Sequence, residues 1–337
     1  MTSAQSDISK QAEQGFDPQC RLYHFTNSVG LYGILTSQCI WATHYRYLND
    51  TSEFYAAYDV LRKFIESRLN VSLARLKVMD HRKLREDIDK QTHIQTEAEK
   101  ITRLIYDTVL QRDDGFVFSS LLAKRFEGQV DTAEDQFGSV DSFLHWTAYG
   151  RGGGFALEFS PEKLRTLFNE EQLSWRGTSF AGTPAYYPKH GEMPPELEQQ
   201  FDAIGRFASK IFEESARALD GRTEGHFREI ADAFIRILIS VKDVFFRGEN
   251  EYRFAVLRAR GAVNAPEVFF RGEGVPYIKI LNGFLKGGNS ALERIIIGPH
   301  PNIGIRKLEL RNFLDINGLS GVGVEVSKAP FRAMAFS

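Results

Sequence analysis

The chain is short of the residues that announce metal, disulfide or membrane chemistry. It carries two cysteines, Cys20 and Cys39, whose spacing fits no zinc-ligand pattern, and its eight histidines include no His-x-x-x-His pair. The expectation is a reduced, cytoplasmic, metal-free protein. No apolar run approaches the roughly 20 residues needed to cross a bilayer. The opening residues MTSAQSDISKQ lack the apolar centre of a secretory signal, so residues 1–18 read as a polar, poorly ordered leader. An excess of charge is missing too. Lys and Arg number 42 against 44 Asp and Glu, with a pI near 6.5, which excludes an overall basic field for nucleic acid or a membrane surface and leaves room only for a local groove.

Glycine and proline are absent between Gly33 and Gly115, which favours helix over most of that span. Phe54, Tyr58, Leu61, Ile65 and Leu69 recur at helical spacing, and Ile94, Ala98, Ile101, Ile105 and Thr108 repeat the pattern after a charged stretch. A second helical block follows Pro194-Pro195 with Phe201, Ile204, Ala208, Ile211 and Phe212. It breaks at Asp220-Gly221 and resumes through Phe227, Ile230, Phe234, Ile237, Leu238 and Val241, the pattern of an antiparallel helical pair.

Strands are expected at Leu22–Phe25, Ile40–Thr43, Gly115–Ser119, Gly154–Phe159, Glu251–Leu257, Tyr277–Ile280, Arg294–Ile297 and Gly323–Val326. A doubly wound parallel sheet needs regular strand-helix alternation, and the two long helical stretches interrupt it. The fold class is therefore α+β, a mixed and largely antiparallel sheet in one domain over 19–337, with helical insertions at about 53–112 and 195–245. The turn Gly150-Arg151-Gly152-Gly153-Gly154 precedes a strand, so it lacks the strand-turn-helix setting of a dinucleotide fingerprint and reads as a plain turn.

Several short stretches carry polar groups that chemistry could use. In LYHFT, strand alternation puts Tyr23 and Phe25 on one face and Leu22, His24 and Thr26 on the other; His24 is either a hydrogen-bonded structural residue or a ligand contact. In IWATHYRYLNDTSEF, Asp50 and Glu53 have capping-box spacing with Asn49 beside them, and Trp41 is core or pocket wall. GFVFSS reads as a strand ending in Ser119 and Ser120, hydroxyls that suit backbone, ribose or carboxamide. In DSFLHWTAYG, Asp141 or Ser142 can cap a short helix with Ser142, Trp146 and Tyr149 on one face, and His145 falls beside Trp146, where it could face solvent.

The stretch RGENEYRF poses the sharpest question. As a strand it sets Glu249, Glu251 and Arg253 on one face and Asn250, Tyr252 and Phe254 on the other. Same-face neighbours lie only about 7 Å apart, so the two carboxylates repel unless a cation, water or substrate stands between them. One reading is an Arg253–Glu251 pair in water. The other is a site, in which a dry pair raises one carboxyl pKa and leaves one acid and one base. A fixed carboxylate there would stabilise positive charge developing on a sugar.

Taken in order, Y-H-F-T at Tyr23–Thr26, G-I-L at Gly33–Leu35, W-A-T at Trp41–Thr43, L-N-D-x-x-E at Leu48–Glu53, F-S-S at Phe118–Ser120, D-S-x-L-H-W-x-x-Y-G at Asp141–Gly150 and E-N-E-Y-R at Glu249–Arg253 resemble a widespread bacterial domain-of-unknown-function family. The likeness runs from about residue 21 to 331 and includes the late I-I-G-P and A-P-F-R segments. That family looks like a distant branch of the ADP-ribosyltransferases, whose mixed sheet binds NAD in a cleft. In the diphtheria-toxin-like branch a strand-borne histidine contacts a ribose of NAD, aromatics stack on nicotinamide, and a later glutamate stabilises the ribosyl cation. In the arginine-modifying branch that glutamate ends an E-x-E motif, and a serine motif lies beneath the nicotinamide ribose.

The resemblance implies NAD as substrate, held by His24 and Thr26 with Tyr23 and Trp41 beside them, by Ser119 as the serine element, and by Trp146 or Tyr149 as an aromatic wall. It implies Glu251 as the cation-stabilising carboxylate and Glu249 as the acceptor-side one. It further implies ADP-ribosyl transfer to a macromolecular acceptor, a protein or a nucleic-acid base, as in toxins and phage-defence effectors with an antitoxin or defence-system partner. NAD hydrolysis, or a non-catalytic nucleotide-binding or assembly module, are the alternatives. Arg75, Lys77, Arg82, Lys83 and Arg85 could guide an acidic partner or form a solvated face.

Overall fold

The computed structural model describes residues 20–48, 53–79, 90–124, 143–148, 153–175, 178–188, 193–216, 227–259, 264–285 and 290–329. Asn49, Asp50, Arg82, Lys83, Arg85, Asp141, Ser142, Tyr149, the 150–152 glycine turn, the Asp220-Gly221 break and the leader lie outside them.

All eight expected strands are present: β1 (Cys20–Thr26), β2 (Ile40–His44), β3 (Asp113–Lys124), β4 (Phe155–Phe159), β6 (Glu251–Ala259), β8 (Val275–Ile280), β9 (Leu292–Ile297) and β10 (Gly323–Val326). Two more join them, β5 (Thr178–Pro184) and β7 (Val268–Arg271). The ten form one sheet in the order β10-β9-β4-β1-β3-β2-β8-β7, with β6 lying along β3 and β5 along β6. The β9–β10 pair is parallel and the others are antiparallel. The structure is thus α+β with a largely antiparallel sheet.

The strand β3 organises this sheet. Its Asp113–Leu121 stretch pairs with β6, while β2 takes the pairing at Phe116-Val117 and β1 takes it at Leu121–Lys124. β1 leaves β3 after Tyr23 and continues along β4, and β2 continues along β8. The sheet therefore parts around Ser119 into a β1-β4-β9-β10 half and a β2-β8-β7 half. β3 does not end at Ser119-Ser120 as the sequence implied, because Leu121-Leu122-Ala123 carries it on into the ladder with β1.

Eight α-helices clothe the described sheet. α1 (Ser28–Ser37) starts directly after β1, where the Asn27 side chain accepts the Gly30 N–H at 2.9 Å. α2 (Glu53–Met79) and α3 (Lys90–Arg112) form the first insertion; α4 (Phe143–Ala148) precedes β4. α5 (Pro161–Gln172) follows it, capped by Ser160 with Pro161 in the first turn; α6 (Glu198–Ala216), α7 (Phe227–Ser240) and α8 (Ile303–Ile316) complete the set. None of these helices is long and apolar enough to cross a membrane.

Two cores lie on opposite faces, as strand alternation requires. Phe116, Phe118, Phe254 and Val256 pack with Leu31 of α1, Leu164 of α5 and Leu310 of α8. Their strand neighbours Val117, Ala255 and Leu257 turn the other way, into the helical core of Leu61, Ile65, Ile94, Ile101, Phe201 and Phe234. Both insertions thus cover the same face. A smaller cluster joins Tyr23, Phe25, Trp146, Ala156 and Ile296. Glu158, wholly buried on β4, is met by Arg294 of β9 at 2.8 Å and by Arg21 of β1 at 4.0 Å, so a paired charge ties three strands.

Candidate functional site

RGENEYRF is a strand only in its second half. Val244–Glu249 is a 3-10 turn, Asn250 takes a left-handed conformation at φ +39°, and β6 begins at Glu251. Asp243 starts this turn by accepting the Phe245 N–H at 2.9 Å, and Asn tolerates the left-handed step that ends it. Glu249 therefore does not stand beside Glu251 on a strand face, which corrects the E-x-E geometry. Glu251 and Arg253 do share a face, with Tyr252 and Phe254 buried on the other.

The two carboxylates nevertheless converge, and a cation stands between them. Lys242 Nζ lies 2.5 Å from Glu249 and 3.3 Å from Glu251, with only 2% of its side chain exposed. Nothing in the sequence singled out Lys242. Its position is set by the backbone, because the Tyr186 N–H donates to the Ser240 carbonyl and the Lys242 N–H donates to the Tyr186 carbonyl, pinning the chain beyond α7 against β5's continuation. Lys242 also lies 4.7 Å from the Phe246 ring centroid.

On the other side of Glu251, Arg253 closes the cluster. Its guanidinium reaches the same carboxylate oxygen at 2.6 and 2.7 Å and also donates to the Ile239 carbonyl at 3.3 Å. This pair is buried, so the solvent-washed reading does not hold. Burial on its own would raise the Glu251 pKa, but the Arg253 and then the Lys242 charge outweigh it and hold the carboxyl below its usual range. The acid expected from a dry carboxylate pair is therefore not Glu251. Tyr187 adds an oxygen that accepts the Glu251 N–H at 3.1 Å, and burial pushes its phenol up to about 12.

His145 joins this cluster against expectation. It is 2% exposed, stacks on Phe25 at 5.3 Å, and sits beside the Glu249 backbone and the Glu251 charge; burial, the largest effect, lowers its pKa. Trp146 meets Phe25 edge-on at 4.9 Å and presses on Gly298, where a Cβ would come within 2.7 Å of the indole. α4 is wedged between β1 and the end of β9, so consecutive residues are both buried. Trp146 at 3% exposure and Tyr23 at 0% are core, which leaves neither the open ring face expected of an NAD contact.

The second group lines the parting of the sheet. His24 Nδ1 lies 3.1 Å from the Ser119 carbonyl, spanning the gap that opens once β1 and β3 stop pairing. A carbonyl only accepts, so Nδ1 carries the proton and Nε2 keeps its lone pair. Burial, opposed by the Ser119 contact and reinforced by the charge of Arg271, lowers the His24 pKa to about 4, so the ring is neutral at physiological pH. Thr26 packs over Gly30 at the start of α1.

Across the parting, Trp41 and Thr43 of β2 share a face with Tyr277 of β8. The Trp41 and Tyr277 rings are 5.1 Å apart, and Trp41 rests against Gly33 of α1. Arg271 of β7 lies 5.8 Å from the centroids of both rings and donates to Thr43 Oγ1 at 2.7 Å. Two links join this group to the acidic cluster. Ser119 is the cross-strand partner of Arg253, and Phe25, next to His24, carries His145. His24 thus meets the Ser119 backbone at the parting, but its ring turns to the Phe118 face while Glu251 and Arg253 lie on the other, so the seam does not bring His24 and Glu251 onto one face. Among the described residues no group of His, Cys, Asp and Glu could hold a metal ion. Compared with protein families, curated proteins and solved structures, the chain matches none.

Proposed function

We propose that the chain is an ADP-ribosyltransferase-like enzyme that uses NAD and passes ADP-ribose to a macromolecular acceptor, a protein or a nucleic-acid base. The observation that carries this reading is the seam itself. The neutral His24 of β1 bonds the Ser119 carbonyl of β3 where the sheet parts, and Ser119 is the cross-strand partner of Arg253, which holds the Glu251 carboxylate of β6 on the sheet face opposite the His24 ring. His24 Nε2, free of its proton, suits a ribose hydroxyl, and the Glu251 carboxylate suits a positive sugar carbon. In the reaction the ribosyl C1′–N bond breaks, its electron pair leaves with nicotinamide, and the acceptor nucleophile bonds to C1′ and loses its proton.

The state of Glu251 favours a second reading, a nucleotide-binding module without turnover. Its charge is already compensated by Arg253 and Lys242, so a transferase would have to turn it away from one of them to face a ribose. Labelled NAD with cell lysate separates the readings. The transferase releases nicotinamide and labels a macromolecule; Glu251→Gln loses both while still binding NAD in calorimetry. Unchanged turnover in that variant defeats the assignment, release without labelling points to hydrolysis, and binding without release to the module.

A further inference from the structure

We propose that Arg271 is the phosphate-recognising residue of the seam, binding the diphosphate of a nucleotide from a seat on Trp41 and Tyr277. Three other arginines of the sheet have carboxylate partners: Arg21 meets Glu293 at 2.8 Å, Arg294 meets Glu158 at 2.8 Å, and Arg253 meets Glu251. Arg271 is different. Its contacts are a hydroxyl and two rings, and among the described residues no carboxylate lies within ion-pair distance.

The seat gives the guanidinium a fixed orientation without neutralising it. Aromatic faces attract a cation through their quadrupole, and the planar fork of Arg loses little freedom there. One amino group is spent on Thr43, and the remaining N–H donors match the two oxygens of a phosphate. Lys279 of β8, cross-strand from Trp41, stands 4.4 Å from the Phe269 ring centroid, again with no carboxylate among the described residues. Two cations with no carboxylate partner among the described residues, on one aromatic floor, complement a doubly charged ligand. That floor borders the seam, since Thr43, which holds Arg271, is the cross-strand partner of Val117, two residues before Ser119 on β3.

This inference rests on the nucleotide reading of the seam, and the test separates the two. Full-length protein is titrated with NAD, inorganic pyrophosphate and nicotinamide riboside, following tryptophan fluorescence and heat. Wild type should bind NAD and pyrophosphate; Arg271→Gln should weaken both by roughly 10- to 100-fold, with Arg271→Lys in between and riboside binding unchanged. Arg271 is exposed on an edge strand, so thermal unfolding should stay at the wild-type temperature and report an intact fold. Arg271-dependent pyrophosphate binding without NAD binding keeps the inference and removes the NAD reading. NAD binding that ignores Arg271→Gln removes the inference and keeps that reading. Failure of wild type to bind either probe, or binding only of long oligonucleotides, overturns the phosphate assignment.

Discussion

Replacing Lys242 by Met keeps the aliphatic stem against Phe246 and deletes the charge that joins Glu249 to Glu251. Removing one partner from a buried ion cluster costs roughly 3–5 kcal/mol, because the remaining charge stays desolvated. Here Glu251 retains Arg253 and the Glu249 side chain is 13% exposed, so the lower end applies, about 3 kcal/mol. With a urea dependence of about 3 kcal/mol per molar, the unfolding midpoint at pH 7 should fall by about 1 M. Adding Glu249→Gln removes a charge that Lys242 no longer balances and should restore part of the loss, a coupling on the order of 1–2 kcal/mol.

The pH dependence gives the same reasoning a second handle. Since the Glu251 pKa is depressed in the folded state, its contribution is complete above the ordinary carboxyl range and is lost as pH falls through the folded value. Lys242→Met weakens that depression, so the gap between variant and wild type should narrow in acid. A Lys242→Met protein as stable as wild type at pH 7, or single-variant effects that simply add, would refute the picture of a buried charge cluster.

His24, held near pH 4 against an ordinary value of 6.5, should cost stability as pH falls from 6.5 toward 4, by at most about 3 kcal/mol; His24→Gln should flatten that part of the curve. An NMR titration of its ring moving near pH 6.5 would contradict this. Gly33→Ala places a methyl 2.5 Å from the Trp41 indole, which should destabilise by about 1–3 kcal/mol and shift tryptophan emission, whereas an unshifted spectrum would mean the contact is loose. Gly298→Ala should likewise displace Trp146 without touching the Trp41 side, readable as normal pyrophosphate binding despite a lower melting temperature.

Where the sequence was legible, a single period carried the information. Strand alternation placed Tyr23 with Phe25 and Tyr252 with Phe254 on the faces where they are found, and the gap in glycine and proline marked α2 and α3. β5, with Gly182 and Pro184 in a polar run, and β7, four residues long, have too little pattern to read. α5 did carry its signal in the Ser160 cap and Pro161. The site was harder, because its decisive members are set by tertiary contact. Lys242 follows an apolar run with no motif, His145 is buried by a wedge from both sides, and the left-handed step at Asn250 takes Glu249 off the strand.

The sharing of one sheet face by both helical blocks has a consequence during synthesis. α2 and α3 emerge first, but their apolar stripes are completed by Phe201 and Phe234, which are made about a hundred residues later. At a ribosomal pace of 5–20 residues per second, those stripes stay uncovered on the order of ten seconds. The nascent chain over that interval is the form most exposed to chaperones and to self-association, so limiting translation between Arg112 and Ser240 should govern yield more than any change in the finished site.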